Sequence, residues 1–306
     1  MNRKAKSTIF LFTAAIVWGF AFVFQENGGK SVPEFWFNGI RFLIGALSLL
    51  PVVLIFDREK QKDTKKLLKT MKAAAICAGF LFVASFLQQL GINMTGDSGK
   101  SAFITALYSV LVPIAYFLFF KKKTSLNVWL GAVLAVVGIF LLSIKGDFTV
   151  ASGDLLLLAG TIFWAGHIIS IDFLVRDINP IKFAMFQSLF CGIYNIIFAL
   201  PTQTVTVVGV NEALVPLLYC GIGSTAVAYT CQILGQKFSD DQTLATIILS
   251  TESFFGVLGG ALFDKEIMTP RGYVGCVLIF AGVVAAQLEI KRRNKNYNNK
   301  KVRKGI

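Results

Sequence analysis

Runs of about twenty apolar residues recur almost end to end in this chain, a pattern that few folds accept. Each run can cross a hydrocarbon core of roughly 30 Å at 1.5 Å per residue. Ten are counted, at 7–25, 34–56, 72–93, 99–120, 125–144, 153–175, 181–200, 213–236, 241–263 and 269–289. Charged residues make up 15% of the chain, where a soluble domain carries about 25%. Lipid offers no hydrogen bonds to an open backbone, so these spans must be helices. The expected class is an all-α, polytopic membrane protein.

The chain contains one of its own stretches twice. A shift of 144 residues lays Gly79–Gly138 over Gly223–Gly282 without a gap, and sixteen of the sixty positions are identical. Chance in so apolar a composition would give roughly one in ten. The matches include Gln88/Gln232, Gly91/Gly235, Asp97/Asp241 and Lys121/Lys265, which shared greasiness would not align. The first two spans repeat more weakly, through Trp18/Trp164, Pro33/Pro180 and Pro51/Pro201.

Charge then orients the spans. The net charge of +13 could suggest nucleic acid, but the positives sit in the connections and the tail. With the N-terminus cytoplasmic, 24 of the 30 basic residues fall in inner segments and four in outer ones. That split is what the positive-inside rule expects for two cytoplasmic termini in the cell membrane. Arg3, Lys4 and Lys6 resemble a signal-peptide start, yet no small-residue cleavage site follows, so the first span reads as an uncleaved anchor. Residues 291–306 form a basic, Asn-rich tail with a disordered composition, suited to lying against anionic lipid. The five cysteines all fall inside apolar runs without metal-binding spacing and read as packing residues; no cofactor or metal is expected.

Five spans per half is an odd number, so the second half must enter the membrane from the opposite side. The expected organisation is a five-helix repeat over 1–145, an inverted one over 146–290, and the tail. Transporters use such inverted halves, because exchanging their conformations turns an inward-open state into an outward-open one.

Several motifs now add up. Trp18-Gly19 stands in the middle of span one, Pro33 precedes span two with Arg41 inside it, and Leu262-Phe-Asp-Lys-Glu266 precedes Tyr273-Val-Gly. With five-plus-five spans over 7–290, the chain resembles the EamA-type permeases of the drug/metabolite transporter superfamily. The resemblance implies ten helices around a central cavity and the movement of small solutes, often outward. It departs from the pattern at Lys121-Lys-Lys123, which replaces an acidic turn, and at Ser109 and Ser253, where proline is common.

Polar groups inside the membrane are costly and usually face a cavity or a partner. Glu252, near mid-span, is either a proton-coupling or cation-binding carboxylate or a structural one held by Ser250 or Thr251. Its repeat mate is Tyr108. Trp18 and Trp164 sit at mid-depth, although membrane tryptophans prefer the interfaces; they read as a cavity wall or as filler. His167, the only histidine, shares the face of Trp164 and is a proton site or a packed imidazole. Gln88 and Gln232 suit symmetry-related gates or interhelical hydrogen bonds, and Gln89 adjoins the first. Asn38 and Arg41 share one face of span two, to receive an anionic group or to tether loops by snorkelling.

No nucleotide-binding loop, nucleophile elbow or His-Glu-x-x-His is present. The sequence therefore predicts a secondary transporter and no enzyme: an exporter of small metabolites or amphiphilic compounds working by alternating access, with membrane lipid as its surroundings and protons as candidate coupling ion. Uptake, or movement of a lipid-linked head group, is the alternative within transport. A membrane-embedded enzyme would need several convergent catalytic groups, and a scaffold would not need central polar residues.

Overall fold

A computed structural model describes residues 2–56, 64–121, 125–143, 151–263 and 270–285, except 276 and 283. In order the elements are α1 (Arg3–Gly29), α2 (Glu34–Phe56), α3 (Thr64–Thr95), α4 (Ser98–Ala106), α5 (Tyr108–Phe120), α6 (Leu126–Ser143), α7 (Ser152–Leu174) and α8 (Pro180–Thr202). They continue with the short α9 (Val207–Glu212) and α10 (Leu214–Leu218), a π-helical stretch (Tyr219–Ala228), α11 (Tyr229–Phe238), α12 (Gln242–Leu249) and α13 (Glu252–Phe263). Residues 270–275 and 277–282 are also helical.

Eight helical segments among the described residues are long and apolar enough to cross a membrane. The two other expected spans, 125–144 and 269–289, lie partly outside the described residues. Helix is present there over Leu126–Ser143 and at 270–275 and 277–282. Large apolar side chains crowd the outer surface, among them Leu47, Leu54, Ile55, Phe119, Leu126 and Val277. A soluble protein cannot leave so much apolar area in water, and hydrocarbon accepts it. The polar residues turn inward instead: Asn38, Arg41, Gln88, His167, Gln187, Gln232 and Glu252 are all buried.

Helices α2 and α8 pack along one another, as do α3 and α7. Arg3, Arg176 and Lys237 mark one end of the bundle, here called the basic end, and Glu34, Asp154 and Glu212 lie at the opposite end. Arg3 donates to the carbonyls of Lys237 and Phe238, placing a cation on the C-terminus of α11, where the helix dipole favours it.

Two spans are broken in mid-membrane, and the breaks correspond. The 144-residue shift carries the start of α4 (Ser98) onto that of α12 (Gln242), and the start of α5 (Tyr108) onto that of α13 (Glu252). The repeated aspartates have a local cause: Asp97 caps α4 by accepting from the Lys100 amide, and Asp241 caps α12 by accepting from Thr243 and Leu244. The chemistry differs at the two breaks. Pro113 in α5 removes a backbone donor one turn beyond the first. At the second, the hydroxyls of Ser250, Thr251 and Ser253 donate to the carbonyls of Ile247, Ile248 and Ser250, competing with the helical ladder.

Close contacts between the halves are reciprocal. A Cβ on Gly138 would lie 2.6 Å from the Gly275 carbonyl oxygen, and one on Gly282 would lie 2.6 Å from that of Gly131. A Cβ on Gly91 would meet Leu157 at 2.6 Å, and one on Gly235 would meet Leu11 at the same distance. In each case the partner of one glycine is the repeat mate of the residue facing the other. Glycine is required there because the opposing helix leaves no room for a side chain.

Candidate functional site

At mid-depth, α1, α2, α3, α4, α5, α7, the π-helical stretch, α11 and α13 surround a narrow central cavity. It is lined by Trp18, Phe22, Gln25, Arg41, Gln88, Thr105, Tyr108, Trp164, Ile168, Ser224, Tyr229, Gln232 and Glu252. Its volume of about 30 Å³ accommodates a water or two and no metabolite.

The helix irregularities build this wall. Tyr108 and Glu252 are the first residues of the two half-helices that follow the breaks, so both side chains reach the cavity from corresponding places. The π-helical stretch widens the backbone: Thr225 Oγ1 donates to the Cys220 carbonyl at 2.8 Å, five residues back. The Ser224 carbonyl is left to accept from Trp18 Nε1 at 3.1 Å, while Tyr219 Oη donates to the Val17 carbonyl, also at 3.1 Å. Such π segments concentrate at functional sites. Tyr229 then stands at the centre of an aromatic group. Its ring centroid lies 4.9 Å from Trp18, 6.5 Å from Trp164 and 5.9 Å from Phe42.

Seven lining residues carry a buried polar atom without a hydrogen-bond partner in the protein. These atoms are Gln25 Oε1, Gln88 Oε1, Thr105 Oγ1, Tyr108 Oη, Trp164 Nε1, Gln232 Oε1 and Glu252 Oε1. Leaving one such atom unsatisfied costs about 1–3 kcal/mol. Seven converging on one space are a set whose partners must come from whatever enters it, water or solute. Tyr108 Oη and Glu252 Oε1, two of the seven, come from repeat-mate positions. Ser250 and Thr251 do not hold the Glu252 carboxylate, because their hydroxyls are committed to backbone carbonyls.

Two lining residues are of charged types, and they have opposite sign. Arg41 is 2% exposed and Glu252 3%, so Arg41 does not snorkel to the interface. Its Nε donates to Asn38 Oδ1 at 2.8 Å, Asn38 Nδ2 donates to the Ser85 carbonyl, and the guanidinium lies 4.4 Å from the Phe42 ring. Among the described residues neither Arg41 nor Glu252 forms a salt bridge. An acid and a base thus share one small space without neutralising each other.

Of the ten candidate residues, the structure brings together Trp18, Arg41, Gln88, Tyr108, Trp164, Gln232 and Glu252 around the cavity. The other three lie behind its wall. Asn38 positions Arg41. Gln89 donates to the Gln25 carbonyl and to Asn93. His167 is fully buried, with Nε2 3.1 Å from Gln187 Oε1 and its ring edge-on to Trp164 and Tyr229. The sequence reading missed Gln25, Thr105, Ser224 and Tyr229. A signal existed for two of them: Gln25 is one helical face with Trp18 and Phe22, and Thr105 precedes Tyr108 by about one turn.

The two ends of the bundle differ. At the basic end a vestibule of about 630 Å³ is lined by Arg3, Tyr116, Asp172, Arg176, Gln236, Lys237 and Asp240–Thr243. Between it and the cavity stand Ile168 and Gln236, whose Nε2 donates to the Ile168 carbonyl and to Gln242 Oε1. The opposite end is tied shut. Glu34 accepts from Asn93 Nδ2 and Gln203 Nε2, both at 2.9 Å, joining α2, α3 and the end of α8. Lys100 Nζ donates to Asp154 Oδ2 at 2.7 Å, joining α4 to α7.

Comparison with known proteins adds identity to this geometry. A family model described as the EamA-like transporter family matches residues 5–144 and again 151–286. An uncharacterized transporter of Archaeoglobus fulgidus is 31% identical over 288 residues, covering 94% of this chain and 88% of its own. A probable amino-acid metabolite efflux pump of Salmonella typhimurium is 25% identical, covering 92% and 94%. A solved crystal structure matches with a TM-score of 0.75 at 18% identity, over 94% of this chain and 99% of that one, which supports the fold.

Proposed function

The chain belongs to the EamA-like transporter family, and from that premise we propose that it exports small amphoteric metabolites across the cell membrane by alternating access. Family and relatives alike point to transport rather than to an enzyme. The observation that carries the substrate class is the central cavity. Its two charged-type residues, Arg41 and Glu252, are buried, opposite in sign and unpaired with each other, and seven polar atoms of the lining, Glu252 Oε1 among them, lack partners in the protein. A solute bearing both an anionic and a cationic group would answer both charges at once and leave none buried alone. Amino-acid metabolites have that chemistry, and the Salmonella relative's name points the same way.

A cavity of about 30 Å³ is far below the roughly 300 Å³ of a small-molecule site, so transport requires the helices to part. The reciprocal glycine contacts, the matching breaks and the capping aspartates support ten spans in two inverted halves, 1–145 and 146–290. In that arrangement the vestibule and the Glu34 and Lys100–Asp154 ties are two ends of one pathway, here closed at the latter. The basic end and both termini face the cytoplasm under the positive-inside rule. Glu252 is the candidate proton-coupling group, because it lies in the cavity that solute would occupy.

The test is uptake of radiolabelled L-amino acids into inside-out vesicles. For L-leucine the matched amine and acid, isopentylamine and 4-methylpentanoate, serve as competitors. The expected result is accumulation of one or more amino acids, with each singly charged analogue competing at least tenfold more weakly than its parent. Transport insensitive to the loss of either charge would refute the assignment of Arg41 and Glu252.

A further inference from the structure

Helix α3 is 32 residues long, about 48 Å, and so outruns a hydrocarbon core of roughly 30 Å. Its excess is at the basic end, where Lys65, Lys69 and Lys72 follow one another at helical spacing along an exposed face. Ile76 and Phe80 continue the same stripe into the membrane, 57% and 39% exposed. One helical face thus passes from cationic to apolar over about 16 Å between Lys65 and Ile76.

That stripe forms one wall of a groove of about 480 Å³, and the end of α7 forms the other. The second wall repeats the gradient, with Phe173 (42% exposed) below and Arg176 above. Arg176 is held by the Asp172 carbonyl and carboxylate, and its guanidinium stands 5.7 Å from the Phe173 ring. Among the described residues one acid, Asp177, lines the groove, 3.9 Å from Lys69, beside Lys65, Lys72 and Arg176.

We propose that this groove is a binding site for an anionic glycerophospholipid, its phosphate among Lys69, Lys72 and Arg176 and an acyl chain along Ile76, Phe80 and Phe173. Charge complementarity selects the head group, and the apolar lower half selects a lipid over a soluble phosphate. A basic pocket beside membrane helices is where head groups with negative charge concentrate. The site is distinct from the central cavity and does not depend on which solute that cavity takes.

The test uses the full chain, purified and stripped of lipid in detergent, with retained lipid counted by native mass spectrometry after adding dioleoyl-phosphatidylglycerol or dioleoyl-phosphatidylcholine. Phosphatidylglycerol is expected to remain bound in preference to phosphatidylcholine. A basic side chain near an anionic surface contributes about a fivefold factor, so Lys65→Gln/Lys69→Gln/Lys72→Gln should weaken that preference by about 100-fold. Changing Lys30, Lys145 and Lys265, which the charge distribution assigns to outer segments, to Gln removes the same charge elsewhere and should leave it unchanged. Water-soluble sn-glycerol 3-phosphate should fail to displace the lipid. Equal retention of the two lipids by the unaltered protein would overturn the proposal without recourse to any variant. So would equal losses from the groove and outer-segment variants, or displacement by the soluble phosphate.

Discussion

Glu252→Gln separates a carboxylate kept for function from one kept for structure. The substitution preserves shape and removes the negative charge. Glu252 is 3% exposed, its Oε1 has no partner, and the neighbouring hydroxyls of Ser250 and Thr251 donate to backbone carbonyls. No hydrogen bond made by Oε1 is therefore lost, and a buried group that can carry an uncompensated charge is replaced by a neutral one. Removing such a charge cannot cost the few kcal/mol that breaking a buried ion pair would. Thermal unfolding in detergent should be unchanged or shifted upward. Binding should respond oppositely. A hydrogen bond to a charged group is worth about 1.5–3 kcal/mol, so affinity for a radiolabelled amino acid that binds the unaltered protein should fall about 10- to 150-fold. If Glu252 also couples protons, vesicles carrying the variant should lose gradient-driven accumulation and keep downhill exchange. A lowered unfolding temperature with unchanged affinity would refute this reasoning and return Glu252 to a structural role.

Further outcomes follow from other contacts. Gly138→Ala and Gly282→Ala each force a Cβ to within 2.6 Å of a facing carbonyl, so both should destabilise by about 1–3 kcal/mol in thermal unfolding. Under reciprocal packing the two losses should be similar; a tolerated change at one position alone would count against the inverted arrangement. Glu34→Ala removes the acceptor of Asn93 and Gln203 at the closed end. It should raise thiol labelling of Gln25→Cys from outside, in a cysteine-free background, by about tenfold, consistent with the loss of charge-assisted bonds. Labelling unchanged by Glu34→Ala would remove that network as a seal. A single cysteine at Lys62 should react only once the membrane is permeabilised, and one in Thr202–Asn211 should react in intact cells; the reverse would invert the topology.

What the sequence determined by itself is what local physics controls. A run of twenty apolar residues must be a membrane helix wherever it lies in the fold, because lipid leaves the backbone no other partner. Asp97 and Asp241 could be aligned because a helix cap is a contact among near neighbours. Identical glycines could be matched, although what they touch could not be known. Tertiary structure decided which polar groups share a space. Arg41 looked free to snorkel until Asn38 and Phe42 were seen to hold it inside. His167 shares a helical face with Trp164 but is taken by Gln187 on α8, 20 residues away in sequence. Tyr229, at the heart of the aromatic group, carries no mark in the sequence, since its rings' neighbours come from α1, α2 and α7. The breaks before Tyr108 and Glu252 likewise depend on a competition between backbone and side-chain hydrogen bonds that only the packed helices resolve. Depth in the membrane is a one-dimensional property that a sequence can carry, whereas convergence on a cavity is set by helices meeting from distant parts of the chain.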